Sequence, residues 1–86
     1  MSANTDITNL LRVADEYASH RNHSLKTVSL RAAKQGQFLA DLKTGRRGIT
    51  LSRRDAIFQW FSDNWPEELV WPADIPRPAP RKREAA

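Results

Sequence analysis

The side chains with the widest chemical repertoire in this chain, His20, His23, Ser24 and Ser29, fall within ten consecutive residues. Two histidines three apart would suit neighbouring ligands of a metal ion, but the chain has no cysteine and no third histidine, so a closed metal site lacks its ligands. We read them as a solvated pair flanking a turn. A nucleophilic serine needs a base held by an orienting acid, and no such relay is legible around Ser24 or Ser29. No catalytic residue, metal or cofactor is therefore expected, and the chain does not read as an enzyme.

Charge is the stronger signal. Residues 21–54 hold nine lysines and arginines against the single acid Asp41, while residues 55–76 hold five acids and no base. A solvated face is the ordinary meaning of a basic run. Here two adjacent segments of opposite sign lie inside one short chain, and a polyanion such as nucleic acid is the natural partner of the basic one.

These charges must be positioned by helices, because every apolar repeat in the chain has a period near 3.6. Ile7, Leu10, Leu11, Ala14, Tyr17 and Ala18 predict a helix over 5–20, led in by Asn4, Thr5 and Asp6. Asn22 suits a left-handed turn, and Ser24 an N-cap for a helix over 25–34 with Leu25, Val28 and Ala32 inward. Gly36 should end or kink it. Phe38, Leu39 and Leu42 predict a short helix stopped by Gly45. Ser52 and Asp55 have capping-box spacing, with Leu51 and Ala56 placed as a hydrophobic staple, so a fourth helix should start there and bury Ile57, Trp60 and Phe61. Trp60, Phe61 and Trp65 read as core and not as a base-stacking platform.

Beyond Trp65 five prolines interrupt any helix. We expect an extended segment in which Trp71 folds back, and disorder after Arg77. The expected architecture is all-α: a compact bundle of four short helices over 1–72 and a Pro-rich basic tail over 73–86. With 86 residues, such a domain buries only about 60% of its unfolded surface, so its stability should be modest. Without cysteines, a basic leader or a long apolar run, the chain reads as reduced and cytoplasmic, with no membrane partner.

Placing Leu25, Val28 and Ala32 inward turns Lys26, Thr27, Leu30, Arg31 and Lys34 outward. A basic helix that follows a tight turn and an amphipathic helix has the order of a helix-turn-helix, whose second helix reads base edges in the major groove. Those five residues are the expected base readers of double-stranded DNA. Ser24, Ser29, Arg46, Arg47, Arg53 and Arg54 are the expected phosphate contacts.

The unit "YASHRNHSLKTVS" resembles the helix-turn-helix of phage-repressor-like (lambda-repressor-like) regulators, with small Ala18, turn residue Asn22 four later and aliphatic Val28 six beyond it. More loosely, "TVS…FLADLKTG…TLSRRDAIFQWFSDNWP" is similar to small bacterial regulators, over about residues 5–72. The resemblance implies a transcriptional regulator, a repressor of phage or mobile-element genes that binds as a homodimer. A rival register sets Ala32, Gly36 and Leu42 in the same pattern and makes 37–44 the recognition helix. The 25–34 helix is preferred at this point because it carries no acid, whereas 37–44 carries Asp41 beside Gln37 and Lys43. The alternative function is a small protein-binding module, an anti-activator or antitoxin, docking the same basic face on an acidic partner. The exposed Leu30 would serve either a thymine methyl or a protein groove.

Overall fold

The computed structural model of the protein describes residues 2–81, with side chains from residue 5 onward. Four helices follow one another, α1 (Ser2–Arg21), α2 (Leu25–Ala33), α3 (Phe38–Thr44) and α4 (Leu51–Asn64), and there is no strand among the described residues. No helix is long and apolar enough to cross a membrane among the described residues.

The long α1 is the spine. Leu10, Val13, Ala14, Tyr17 and Ala18 are buried at the spacing of one helical face, and Ile7 and Leu11 pack at its margin. That face meets α2, α3 and α4. Asn22 ends α1 in the left-handed conformation at φ 60°. The His23 N–H returns to the Ala18 carbonyl at 2.8 Å and the Asn22 N–H to Ser19 at 3.3 Å, a Schellman closure. Ser24 then caps α2 as expected, its hydroxyl accepting from the Thr27 N–H at 3.2 Å.

Three helix boundaries differ from the sequence reading, the first being that α1 begins at Ser2, with Asn4, Thr5 and Asp6 inside it. Lys34, left-handed at φ 63°, terminates α2 in place of Gly36. Gly36 instead lets the turn lie flat: a Cβ there would meet Lys26 Cγ at 3.3 Å and Leu30 Cγ at 3.5 Å. The cap of α4 is Thr50, extended at φ −80° and accepting from the Arg53 N–H at 3.1 Å. Ser52 lies inside the helix and Leu51 is 66% exposed, so the expected capping box and staple do not form. Gly45 stops α3 as read, at φ 82°.

The largest departure concerns the C-terminal segment. Trp71 folds back as expected, but so does most of the stretch expected to be a free tail. Residues 66–81 form a strap across α1 and α4, built on a repeat of Trp-Pro-x-acid-aliphatic, "WPEEL" at 65–69 and "WPADI" at 71–75. In each copy the indole N–H donates to the carbonyl four residues on, Trp65 to Leu69 at 2.7 Å and Trp71 to Ile75 at 2.8 Å. In each copy that fourth residue's N–H also returns to the proline carbonyl, at 3.1 Å. Ile75 is 3% exposed and belongs to the core. Beyond it the Arg77 guanidinium donates to Ser62, Ser62 to the Pro78 carbonyl, and Gln59 to Ala79. The folded unit thus extends past the expected boundary at 72 through residue 81. The rest of the expected tail, 82–86, lies outside the described residues.

Tyr17, Trp60, Phe61, Trp65 and Trp71 form a continuous aromatic cluster joining α1, α4 and the strap, with successive ring centroids 4.8–6.0 Å apart. Each fully buried large side chain of this core, such as Phe61 or Leu10, contributes about 1.5–3 kcal/mol relative to exposure.

Candidate nucleic-acid interface

The turn over 34–37 between α2 and α3 is held from inside by Ser29. Its hydroxyl donates to the Gln35 carbonyl at 2.6 Å and accepts from the Leu39 N–H at 3.1 Å, and the residue is fully buried. Ser29 cannot reach a phosphate and is removed from the expected contacts. It instead supplies the partner of the Leu39 N–H in the first turn of α3 and a second donor to the Gln35 carbonyl, which also accepts from the Phe38 N–H at 3.3 Å.

Around this turn stand the cations. Arg47 donates to Gln35 Oε1 at 2.9 Å, and its guanidinium lies 4.6 Å from the Phe38 ring centre. Arg53 donates to the Ala33 carbonyl at 3.0 Å, which caps the C-terminal end of α2, and lies 4.7 Å from the same ring. Lys26 and Leu30 pack against Gly36 from the α2 side. Arg31, Lys34, Lys43 and Arg46 are exposed beside them. Among the described residues, none of these seven cations has a carboxylate within ion-pair distance. Their partners are carbonyls, an amide and a ring, which orient a guanidinium without neutralising it.

Elsewhere the charge is met by carboxylates at several places, although Arg21 lies over the Tyr17 ring and Arg77 is held by Ser62 and the Trp71 ring, with no carboxylate within ion-pair distance of either among the described residues. Arg12 pairs with Asp74 at 2.8 Å, His20 with Glu68 at 3.0 Å and Arg81 with Asp63 at 3.1 Å. Hydrogen bonding to Arg12 holds the Asp74 carboxyl below its usual range, and His20 does the same for Glu68. Arg54 belongs to this second group. Its guanidinium binds Asp6 at 2.9 Å and Asp55 at 2.8 Å, and hydrogen bonds to Asp55 and Asp6 raise its pKa further. Arg54 therefore has the anionic neighbours that its place at an N-terminus demands, and it leaves the set of expected phosphate contacts.

The expected base readers are partly brought together. Lys26, Leu30, Arg31 and Lys34 are exposed on α2, with Leu30 at 51%. Thr27 is half-buried and its hydroxyl lies 3.1 Å from that of Ser24, so both serve the cap. Sequence reasoning missed a property of α2: with Val28, Ser29, Ala32 and Ala33 buried, it packs on α1, α3 and α4 and is the central helix of the domain. The shorter α3 packs on α1 and α2 only, burying Phe38, Leu39 and Leu42. Its opposite side presents Gln37, Ala40 and Thr44, with Asp41 and Lys43 at the edges. Lys43 in its last turn and Arg46 and Arg47 in the loop after it stand around an open cleft shared with Ile7 and Thr8 of α1.

His23 is half-buried, with Nδ1 enclosed and without a hydrogen-bond partner, so the two histidines are not a solvated pair. No group of three or more metal-ligating side chains occurs among the described residues.

Comparison with protein-family models, with curated proteins and with solved structures finds no match to this chain.

Proposed function

We propose that this protein is a sequence-specific regulator that binds double-stranded DNA through α2, the 34–37 turn and α3 acting as a helix-turn-helix. The observation that carries this reading is the concentration of seven lysines and arginines around that turn with no carboxylate partner among the described residues, whereas Arg12, Arg54 and Arg81 elsewhere are paired. A phosphate backbone supplies the missing anions.

Within that unit α3 is the better groove helix, which reverses the preference drawn from charge alone. A helix about 10–12 Å across must enter a major groove about 12 Å wide, so much of its circumference has to be free. The peripheral α3 meets that need better than the central α2. Gln37 and Lys43 supply groups that pair with adenine and guanine, and Asp41 an acceptor for the cytosine amino group. The acid is thus no obstacle to groove binding. Lys26, Arg31 and Lys34 on α2, with Arg46, Arg47 and Arg53, fall to the flanking phosphates.

A helix of two turns reaches few base pairs, so two copies would bind an inverted repeat with half-site centres about 34 Å apart. The test is a gel shift and footprint on DNA upstream of the protein's own coding sequence, against random duplex. The expected result is a protected inverted repeat bound at least about a thousandfold more tightly than random sequence. Equal affinity for all duplexes, or one copy per unrepeated site, defeats the sequence-specific dimer. Activity in cells that survives loss of all DNA binding would transfer the basic face, with exposed Leu30, to an acidic protein partner.

A further inference from the structure

An open cleft of about 540 Å³ runs between the C-terminal end of α2 and α4, closed at one side by Arg81 of the strap. That volume lies within the range of small-molecule sites, about 300–1,000 Å³. Small residues create it: Ala32 and Ala33 on α2 face Ala56 and Ile57 on α4, with Trp60 beside them. The surface they leave is apolar on the side of Ala56 and Trp60 and polar at its rim, and has room for a flat ring.

The polar groups of the cleft have an unequal balance. Its acid, Asp63, is already engaged, accepting from the Arg81 N–H at 2.7 Å, the Arg81 guanidinium at 3.1 Å and Gln59 at 2.9 Å. The Ala33 carbonyl is taken by Arg53, and the Asn64 side-chain amide donates to the Trp60 carbonyl at 2.9 Å. What faces the open side of the cleft without a partner among the described residues is mostly donors, with the Asn64 side-chain oxygen as an acceptor beside them. The Lys34 ammonium has no acceptor among the described residues. Of the indole N–H groups, those of Trp65 and Trp71 donate to backbone carbonyls, whereas that of Trp60 has no acceptor among the described residues. Arg53 keeps further N–H groups beyond the one on Ala33.

We propose that this cleft binds a small aromatic carboxylate, its ring against the alanines and Trp60 and its carboxylate toward Lys34 and Arg53. A neutral aromatic would leave the cationic donors unanswered, and an inorganic anion would leave the apolar wall uncovered; an aromatic carboxylate meets both. The site shares Lys34 and Arg53 with the proposed phosphate contacts, and its test contains no DNA, so either reading can fail without the other.

Phenylacetate, phenylacetamide and inorganic phosphate are each titrated into the full chain, labelled with nitrogen-15, and followed by two-dimensional NMR. The expected result is a saturable displacement of the Trp60 indole resonance by phenylacetate, with those of Trp65 and Trp71 unmoved. Phenylacetamide and phosphate should bind about fivefold or more weakly, as should Lys34→Gln toward phenylacetate. Trp60→Phe, which keeps a ring and removes the N–H, provides a second variant and should also weaken binding, with circular dichroism checking its fold. Displacement that never saturates, equal binding of the amide, or equal shifts at Lys43 and Arg46 would overturn the proposal.

Discussion

The α2–α3 turn and the strap over 66–81 are both densely charged, and they differ in how that charge is met, with Arg77 of the strap sharing the uncharged kind of partner found at the turn. Along the strap Glu68 and Asp74 recur at the same place in two copies of one short motif, and they meet His20 and Arg12, which share a side of α1. Around the turn, guanidinium groups are steered by Gln35, Ala33 and Phe38, none of which carries charge. The strap therefore closes a fold, whereas the turn leaves a cationic surface to be completed by something else. The division implies that substitutions on the strap side should change stability with little effect on DNA affinity, and those on the turn side the reverse.

The severest challenge to the strap is Ile75→Ala. Its side chain is 3% exposed in the core, so truncation should cost about 2–5 kcal/mol in denaturant unfolding. Affinity for DNA, measured well below the melting point, should stay unchanged. A loss of DNA binding by the folded variant would mean that the strap takes part in the interface.

Ser29 is the point where the division should fail in an informative way, since it stabilises the fold and shapes the turn. Ser29→Ala leaves the Leu39 N–H without its partner and the Gln35 carbonyl with the Phe38 N–H alone, and should cost about 1–3 kcal/mol. Because those atoms set the position of α3, discrimination between cognate and random DNA should also fall. Unchanged discrimination would detach the reading role from α3.

A pair of deletions locates the end of the strap. Removing 82–86 should leave the thermal midpoint in place, while removing 77–86 discards the bonds of Ser62, Gln59 and Asp63 to the strap. The second loss should amount to about 1–2 kcal/mol. For a domain of this size each kcal/mol lowers the midpoint by about 4–8 °C. Equal midpoints for the two deletions would place the end of the folded unit before residue 77.

Much of this arrangement was legible in the chain, and the omissions have physical causes. Helix existence followed from the 3.6-residue period, and the ends of α1 and α3 from Asn22 and Gly45, because left-handed residues leave a mark in residue type. The α4 cap was misplaced because Thr50 and Ser52 are both competent N-caps and only backbone geometry chooses between them. Reading the prolines as helix breakers alone gives an extended segment with a free tail over 73–86 in place of the strap. The six-residue spacing of Trp-Pro with an acid and an aliphatic behind it was a visible signal of a repeated turn. Ser29 looked like a phosphate donor because α2 was assigned one buried face of Leu25, Val28 and Ala32. A central helix buries a wider arc, and that width depends on which helices surround it.

Arg46 and Arg54 test the comparison with side chains of one type. Arg46 has no acid beside it, so Arg46→Gln should weaken binding to all duplexes alike and reduce the log-affinity against log-salt slope by about one. Arg54 is held by Asp6 and Asp55, so Arg54→Gln should leave that slope unaltered and cost stability of about 1 kcal/mol or less. Equal changes in slope would show that ion pairing inside the fold does not decide which arginines reach phosphate.

The smallest expected effect is on pH. Hydrogen bonds to Arg12 and His20 hold Asp74 and Glu68 below their ordinary values of 3.8 and 4.5. For Asp63, burial works to raise the pKa but is outweighed by the Arg81 N–H, Gln59 and the Arg81 guanidinium, so it too is lowered, from 3.8. A carboxylate whose pKa is depressed by folding contributes stability that is fully present above its unfolded value and is lost as pH falls through its folded value. The strap should therefore loosen from about pH 4.5 downward, while the α2–α3 turn, held without carboxylates, should not. The change is expected to be small because Asp74 and Glu68 are exposed and their pairs are screened by solvent. Hydrogen-exchange protection at the Leu69 and Ile75 amides should fall before that at Leu39 as pH is lowered, and Asp74→Asn should reduce the dependence at Ile75. Parallel loss of protection at all three amides would mean that strap and turn melt as one unit, and the electrostatic division between them would have no consequence for stability.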